Sequence, residues 1–443
     1  MKTIMKNTAT LHFSVIVYSI LFAGMTCVEA ADYYWNQTGT TNANKEGLET
    51  ASNWVNLQGE TYTTGPSTSD NLRIGNDSVF TYEGDLIHSA DILIGHYNNT
   101  KPDSTVPGSS SFTVTGDLTT NNLYIGQMYF ASDTKYYWSG SGKENDIHIA
   151  KSLGRGELTV EGSLTIQGQK GLYLGQDSTA SLVVKGEVTI GSVDSWVDRV
   201  RISSQGASLG GDHCSVAGKE DGTLEPVMVD WSQTKQVTIY SDKFLVSSRD
   251  DTNNTNPITW SNNTFNDSDR TYKTNAIVEL GTNNNITTKQ FIVASSYGIN
   301  LSGTHAKVTL GEGLNNITSD YIIIGNLKAD KKDDVAADAV NVVSVRQTDI
   351  DGTLTNTGTV NIIANSTASA DTGLYVGFQN CDTNNLAYGT LDLRNAKEVT
   401  MTLNNFVIGE KKEVGTGYRT GGSQGFVYLG DNATVTANLL KMA

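Results

Sequence analysis

Helical periodicity, cysteine, proline, basic charge and long apolar runs are all scarce in this chain, and each scarcity removes a class of protein. After the first 30 residues no sustained 3.6-residue pattern of apolar side chains appears, which excludes a helical or evenly mixed fold. Of three cysteines, Cys27 falls in the leader. Only Cys214 and Cys381 remain, too few for a scaffold built on disulfides, and whether they pair is left open. Lys and Arg number 31 against 47 Asp and Glu, a net charge of -16. The carboxylates are spread through turns, and no basic stripe interrupts them. Nucleic acid is thereby excluded as a partner, because its phosphates need clustered cations. Beyond the leader no stretch reaches the roughly 20 apolar residues that span a bilayer, so no transmembrane segment is expected in the mature chain.

The start of the chain has the form of an export signal. Lys2 and Lys6 precede an apolar run from Leu11 to Ala23, and Val28-Glu29-Ala30 supplies the small residues of a cleavage site. Residues 1–30 are read as a signal peptide, with the mature chain starting near Ala31. Met25 and Thr26 before Cys27 do not form a lipoprotein leader. Sequons such as Asn36-Gln37-Thr38 are what Asn- and Thr-rich turns produce, and they carry little weight.

With 44 glycines and five prolines, glycine punctuates the sequence. A short apolar strand ending in glycine keeps returning: Leu123-Tyr124-Ile125-Gly126, Leu172-Tyr173-Leu174-Gly175, Leu374-Tyr375-Val376-Gly377 and Val427-Tyr428-Leu429-Gly430. The marks Gly75, Gly95, Gly126, Ala150 and Gly175 lie 20, 31, 24 and 25 residues apart. Between Gly156 and Gly191 five runs alternate apolar with polar residues, each bounded by Gly, Asp or Gln. Alternation lets a strand bury one face, and glycine after it permits a tight corner. A sandwich or propeller would pair such strands as hairpins with fixed aromatic marks. Irregular, rung-sized spacing instead predicts an all-β parallel β-helix, with Val, Ile, Leu and Phe stacked inward and Asn, Thr and Ser bonding along the stack. Coiling all mature residues would give a rod of roughly 80 Å at one 4.8 Å step per rung.

The expected organisation is an N-terminal cap and first strands over 31–75, rungs over 76–191, an irregular insertion or loop-rich rungs over 192–275, and rungs again over 276–443. Strand-glycine marks are missing from Ser192 to Asn275. The tract from Arg249 to Arg270 is almost wholly polar.

Tyr33-Tyr34-Trp35-Asn36 through Gly39, Ala51-Ser52-Asn53-Trp54 and Ser69-Asp70-Asn71-Leu72-Arg73-Ile74-Gly75 resemble the opening of bacterial autotransporter-type surface proteins. The resemblance implies a right-handed parallel β-helix with an N-terminal cap, displayed at the cell surface or secreted, and commonly adhesive. Paired tryptophans near the end of a solenoid would cover its apolar edge. The translocator barrel of that family is missing. The chain stops at Leu440-Lys441-Met442-Ala443, inside another rung, from which either a truncated product or an unusual terminator is expected.

Catalytic patterns are few. A pectinase-like glycosidase would show Asn-Thr-Asp, Asp-Asp and Gly-His-Gly in order. Here Asp250-Asp251 and Asp333-Asp334 lie in polar tracts, and Gly95-His96-Tyr97 lacks its second glycine. His213-Cys214 is an isolated pair, and the loop from Asp250 to Asp269 lacks calcium-loop spacing. No catalytic residue, metal site or cofactor is assigned. The binding candidates are aromatic: Tyr136, Tyr137 and Trp138 between rungs, and Trp231 and Trp260 in or beside the mid-chain interval, where exposed rings would stack on sugars. The expected role is non-enzymatic adhesion or structure, with glycans or surface proteins of host or neighbouring cells as partners. The competing reading is a polysaccharide-degrading β-helix.

Overall fold

The computed structural model describes residues 30–36, 39–43, 45–56, 59–75, 78–98, 110–129, 156–176, 180–204, 226–248, 273–297, 303–328, 350–380, 387–411 and 422–443. The leader lies outside them. The chain divides into two units, Met1–Ala31 and Asp32–Ala443, and the second is a parallel β-solenoid. Among the described residues, eleven strands form one sheet and eighteen a second, and nearly every pairing is parallel.

Each coil contains three strand segments. The first belongs to the eleven-stranded sheet, and the second and third to the larger sheet, which bends around a corner between them. One coil reads Ala180–Val184, Val188–Ile190 and Val197–Ser204. In later coils the second and third segments run on as one bent strand, such as Gln236–Ser248 or Asn283–Tyr297. Eleven first strands at about 4.8 Å per step make the stack about 50 Å long. The 80 Å expected from coiling every residue is too long, because much of the chain lies between coils. The ladder steps directly from Ile125 to Leu174, so the supposed mark at Ala150, outside the described residues, is not needed to continue it.

Register explains the recurrent motif. In Leu172-Tyr173-Leu174-Gly175 the two leucines are buried inward, and Tyr173 between them faces out. Leu172 stacks between Leu123 and Val200, and Leu174 between Ile125 and Ile202. Phe244 and Phe291 continue the inner column with rings 4.9 Å apart and nearly parallel. Gly175 then has φ +62°, and Gly95, Gly126, Gly325, Gly377 and Gly409 share that left-handed conformation at the same corner. Glycine adopts it without a steric cost.

The same corner is held without glycine at Ser203 (φ 55°), Ser247 (φ 51°) and Ala294 (φ 57°). This accounts for the fading of the motif in mid-chain. Between 192 and 275 the described strands Val197–Ser204, Val227–Asp230, Gln236–Ser248 and Lys273–Glu279 pair in parallel with neighbours on both sides. The described residues of this interval thus continue the parallel ladder.

Asp32–Trp35 pairs in parallel with Asn71–Ile74 and antiparallel with Trp54–Val55. Trp54 is fully buried, and its indole N–H donates to the Leu48 carbonyl of a short helix at 2.7 Å. Tyr33 stacks on Tyr62 at 4.0 Å, and the Tyr62 hydroxyl donates to the Asp32 carbonyl. Bonding along the stack is found in part. Asn284 donates to Asn315 at 2.6 Å and Asn361 to Asn316 at 3.0 Å.

Candidate functional site

The coil has three corners, and the length of chain between strands varies mainly at one of them. From first to second strand the chain passes from Val184 to Val188, and from second to third from Ile190 to Val197. From the third strand to the next coil the intervals are Gln176 to Ala180, Tyr129 to Gly156, Ser204 to Val227, Ser248 to Lys273 and Lys328 to Ile350. The left-handed residue bends the third strand, which runs on for up to three residues, as Gln127–Tyr129 do after Gly126, before the interval begins. Small residues receive the next first strand: a Cβ on Gly389 would lie 2.2 Å from the Gly377 nitrogen, and one on Gly425 2.7 Å from the Gly409 nitrogen. Close approach of backbones builds this corner, and excursions of every length start and finish beside it.

Next to that corner is the outward column of the third strand, with Leu93, Tyr124, Tyr173, Arg201, Leu245 and Ile292 in register. Tyr124 and Tyr173 stack face to face at 5.0 Å, so their faces are spent on each other. Burial pushes both hydroxyls up from the ordinary phenol value of 10.0. Leu245 and Ile292 are 1% and 3% exposed although they point away from the coil interior. Further along, Tyr375, Phe378 and Val407 form a buried cluster with Tyr321 and Ile323. The Tyr375 hydroxyl donates to the Asp371 carbonyl at 2.5 Å. Burial first, then the charges of Asp371 and Glu410, raise it to about 12. Apart from Arg201 this face is largely apolar, and most of its side chains are buried, while Tyr124, Tyr173, Tyr321 and Ile323 stay half-exposed. Burial on both sides explains why the third strands read as unbroken apolar runs.

Of the aromatic binding candidates, Trp231 must be corrected. It is fully buried, because it occupies an inward position at the corner after the first strand. Its backbone N–H donates to the Glu279 carbonyl just as that of Leu280 donates to Thr309 and that of Leu310 to Thr355, and both leucines are buried like it. Trp231 is therefore a core residue. Tyr136, Tyr137, Trp138 and Trp260 lie outside the described residues, as do Asp250-Asp251, Asp333-Asp334, His213-Cys214 and Cys381. Among the described residues no three His, Cys, Asp or Glu side chains gather as a metal site would require, and no helix is long and apolar enough to cross a membrane.

What the sequence reading did not single out is the outward column of the second strand, which lies open to solvent. Its signal was legible in apolar-Thr-apolar triplets such as Leu164-Thr165-Ile166 and Val188-Thr189-Ile190. No protein-family model, curated protein or solved structure matches the chain.

Proposed function

We propose that this chain is an exported bacterial β-solenoid, of the kind found in autotransporter-type passengers. Its role is non-enzymatic: it holds connecting segments out along one edge for adhesion to glycans or surface proteins of neighbouring or host cells. We take the coil as right-handed, since parallel crossover connections nearly always are. The observation that carries the reading is that, beyond the N-terminal cap, the long intervals all fall at a single corner. A rigid ladder with variable segments along one edge is the arrangement in which binding residues concentrate on loops. The leader directs the chain out of the cytoplasm, and the acidic, Asn- and Thr-rich composition keeps it dispersed there.

The test is to pass the purified mature chain over a polysaccharide panel and over whole cells with calcium present, scoring retention and release of new chain ends. Adhesion predicts retention without release, and loss of retention when residues 249–272 or 130–155 are replaced by a short Gly-Ser turn. Release of chain ends would overturn the reading in favour of a degradative β-helix, as would retention on whole cells that survives both replacements in favour of the scaffold itself.

A further inference from the structure

The second strand of each coil turns one central residue outward, and the ladder aligns these residues in one column. It runs through Thr119, Thr165, Thr189 and Thr238, then Asn285, Asn316 and Asn361, then Thr400 and Thr434. From Thr119 onward every member is Thr or Asn, over about 40 Å at one step of about 4.8 Å per coil; the coil before it places the exposed Ile87 in the same column. The flanking residues Leu164 and Ile166, or Val237 and Ile239, are fully buried, whereas the column itself is half-exposed or exposed. In the later coils a second column lies two residues on, with Tyr240, Thr287, Thr318, Ile363, Thr402 and Thr436 in register.

Strand propensity favours threonine at such positions, but it does not impose this restriction. The outward column of the first strands has the same geometry, and it accepts Val79, Glu157, Met228, Ile277, Lys307 and Phe426. Nor are the polar groups consumed in holding the stack together. Among the described residues, the one side-chain hydrogen bond within the Thr and Asn column joins Asn361 to Asn316. The threonine hydroxyls face solvent at a fixed, repeated spacing.

The chemistry of the column narrows what it recognises. It contains no Lys or Arg to neutralise phosphates, no basic or apolar stripe to meet a membrane surface, and no aromatic or Arg anchor of the kind that dominates protein interfaces. It offers neutral donors and acceptors, pre-ordered by a ladder that loses little freedom on binding. The complement is a polymer that repeats its own neutral hydroxyl groups at a similar pitch. Single hydrogen bonds of this type contribute little, but a row of them engaged together adds through multivalency.

We propose that this face binds extended chains of a neutral, β-linked polysaccharide lying along the coil axis. The inference shares an exported setting with the adhesive reading, and it does not depend on the connecting segments at the other corner.

The experiment measures retention of the purified mature chain on microcrystalline cellulose and on chitin. The expected result is retention on at least one, lost at least tenfold in the triple variant Thr165→Lys, Thr189→Lys, Thr238→Lys. The milder set Thr165→Val, Thr189→Val, Thr238→Val, which keeps shape and strand propensity, should weaken it several-fold. The matched set Ser111→Lys, Ser181→Lys, Thr353→Lys on the first-strand face should leave it unchanged. Circular dichroism and melting curves confirm that each variant folds. No retention on either polymer overturns the proposal, as does retention untouched by the Lys or Val set, or lost equally in the matched set. Arrest of ice growth by the chain without retention on either polymer would assign the array to ordered water, and overturns it as well. Replacing residues 249–272 or 130–155 leaves this face intact, so failure here and failure of the adhesive reading are told apart.

Discussion

Trp35 meets Trp54 edge to face, with ring centroids 5.0 Å apart. Both are buried, and Trp35 packs on Phe80, which stacks on Phe112 at 5.0 Å. The antiparallel pair at this end of the ladder thus joins the aromatic column of the first coils. Removing a fully buried tryptophan costs about 3–5 kcal/mol, and in a stacked array the loss falls first on the adjoining coil. Trp54→Ala should lower the urea midpoint and speed amide exchange of Asn71–Ile74 more than that of Gln236–Ser248. Uniform acceleration along the chain would contradict a local closure.

Ser247 tests the left-handed corner. Its φ is 51°, and its buried hydroxyl has no hydrogen-bond partner among the described residues. An L-residue in this conformation is strained by about 1–2 kcal/mol, and glycine returns about 0.4–1 kcal/mol of that through the unfolded chain. Ser247→Gly should therefore stabilise by about 0.5 kcal/mol or more, seen as a raised denaturation midpoint. Gly377→Ala should do the reverse. At φ +64° its Cβ would lie 2.1 Å from the Gln424 carbonyl oxygen.

Asn284 and Asn315 interrupt an inner column that has Val237 before them and Val360 after. Both are buried. Asn315 also accepts from the Gly311 N–H at 3.0 Å and donates to the Gly311 carbonyl at 2.8 Å. Asn315→Val alone strands these groups and should cost about 1–3 kcal/mol. The double variant with Asn284→Val should cost less than the two singles added, by about 0.5–3 kcal/mol. Strict additivity in chemical denaturation would show that the two amides act separately.

His88 makes the N-terminal coils sensitive to acid. It is 3% exposed, with Nε2 2.6 Å from the Asp70 carbonyl oxygen. Burial lowers its pKa from 6.5, against the opposing pull of that carbonyl and of the Asp70 and Asp91 charges. As pH falls, the unfolded chain takes up the proton before the folded one does, so the unfolded state binds more protons. The stability from the neutral ring is complete above the ordinary imidazole value and is lost as pH drops through the lowered folded value. Melting curves between pH 7 and 4 should show a drop that is smaller in His88→Gln.

Much of the fold was open to reading. Leu172-Tyr173-Leu174-Gly175 shows two inward residues, an outward one and a left-handed corner, because alternation and glycine are local properties. Trp231 was misread for the opposite reason. Its neighbours Ser232 and Asp230 form a polar turn, and only the coil above reveals that the ring occupies the place of Leu280. The Thr and Asn column was visible as triplets, but nothing local distinguishes it from any half-buried strand.

By itself, the amino-acid order determined the parallel all-β character of the coil and the identity of its inner columns, since these follow from which residues can stand on one face of a strand. Tertiary structure alone decided that Ser203, Ser247 and Ala294 take a corner that local preference reserves for glycine. It also decided that most outward side chains of the third strand are buried while those of the second stay half-exposed or exposed. The reason is physical: the ladder on both sides imposes backbone conformation and exposure on each coil, and the free energy of that stacking exceeds the strain or the preference of any one residue within it.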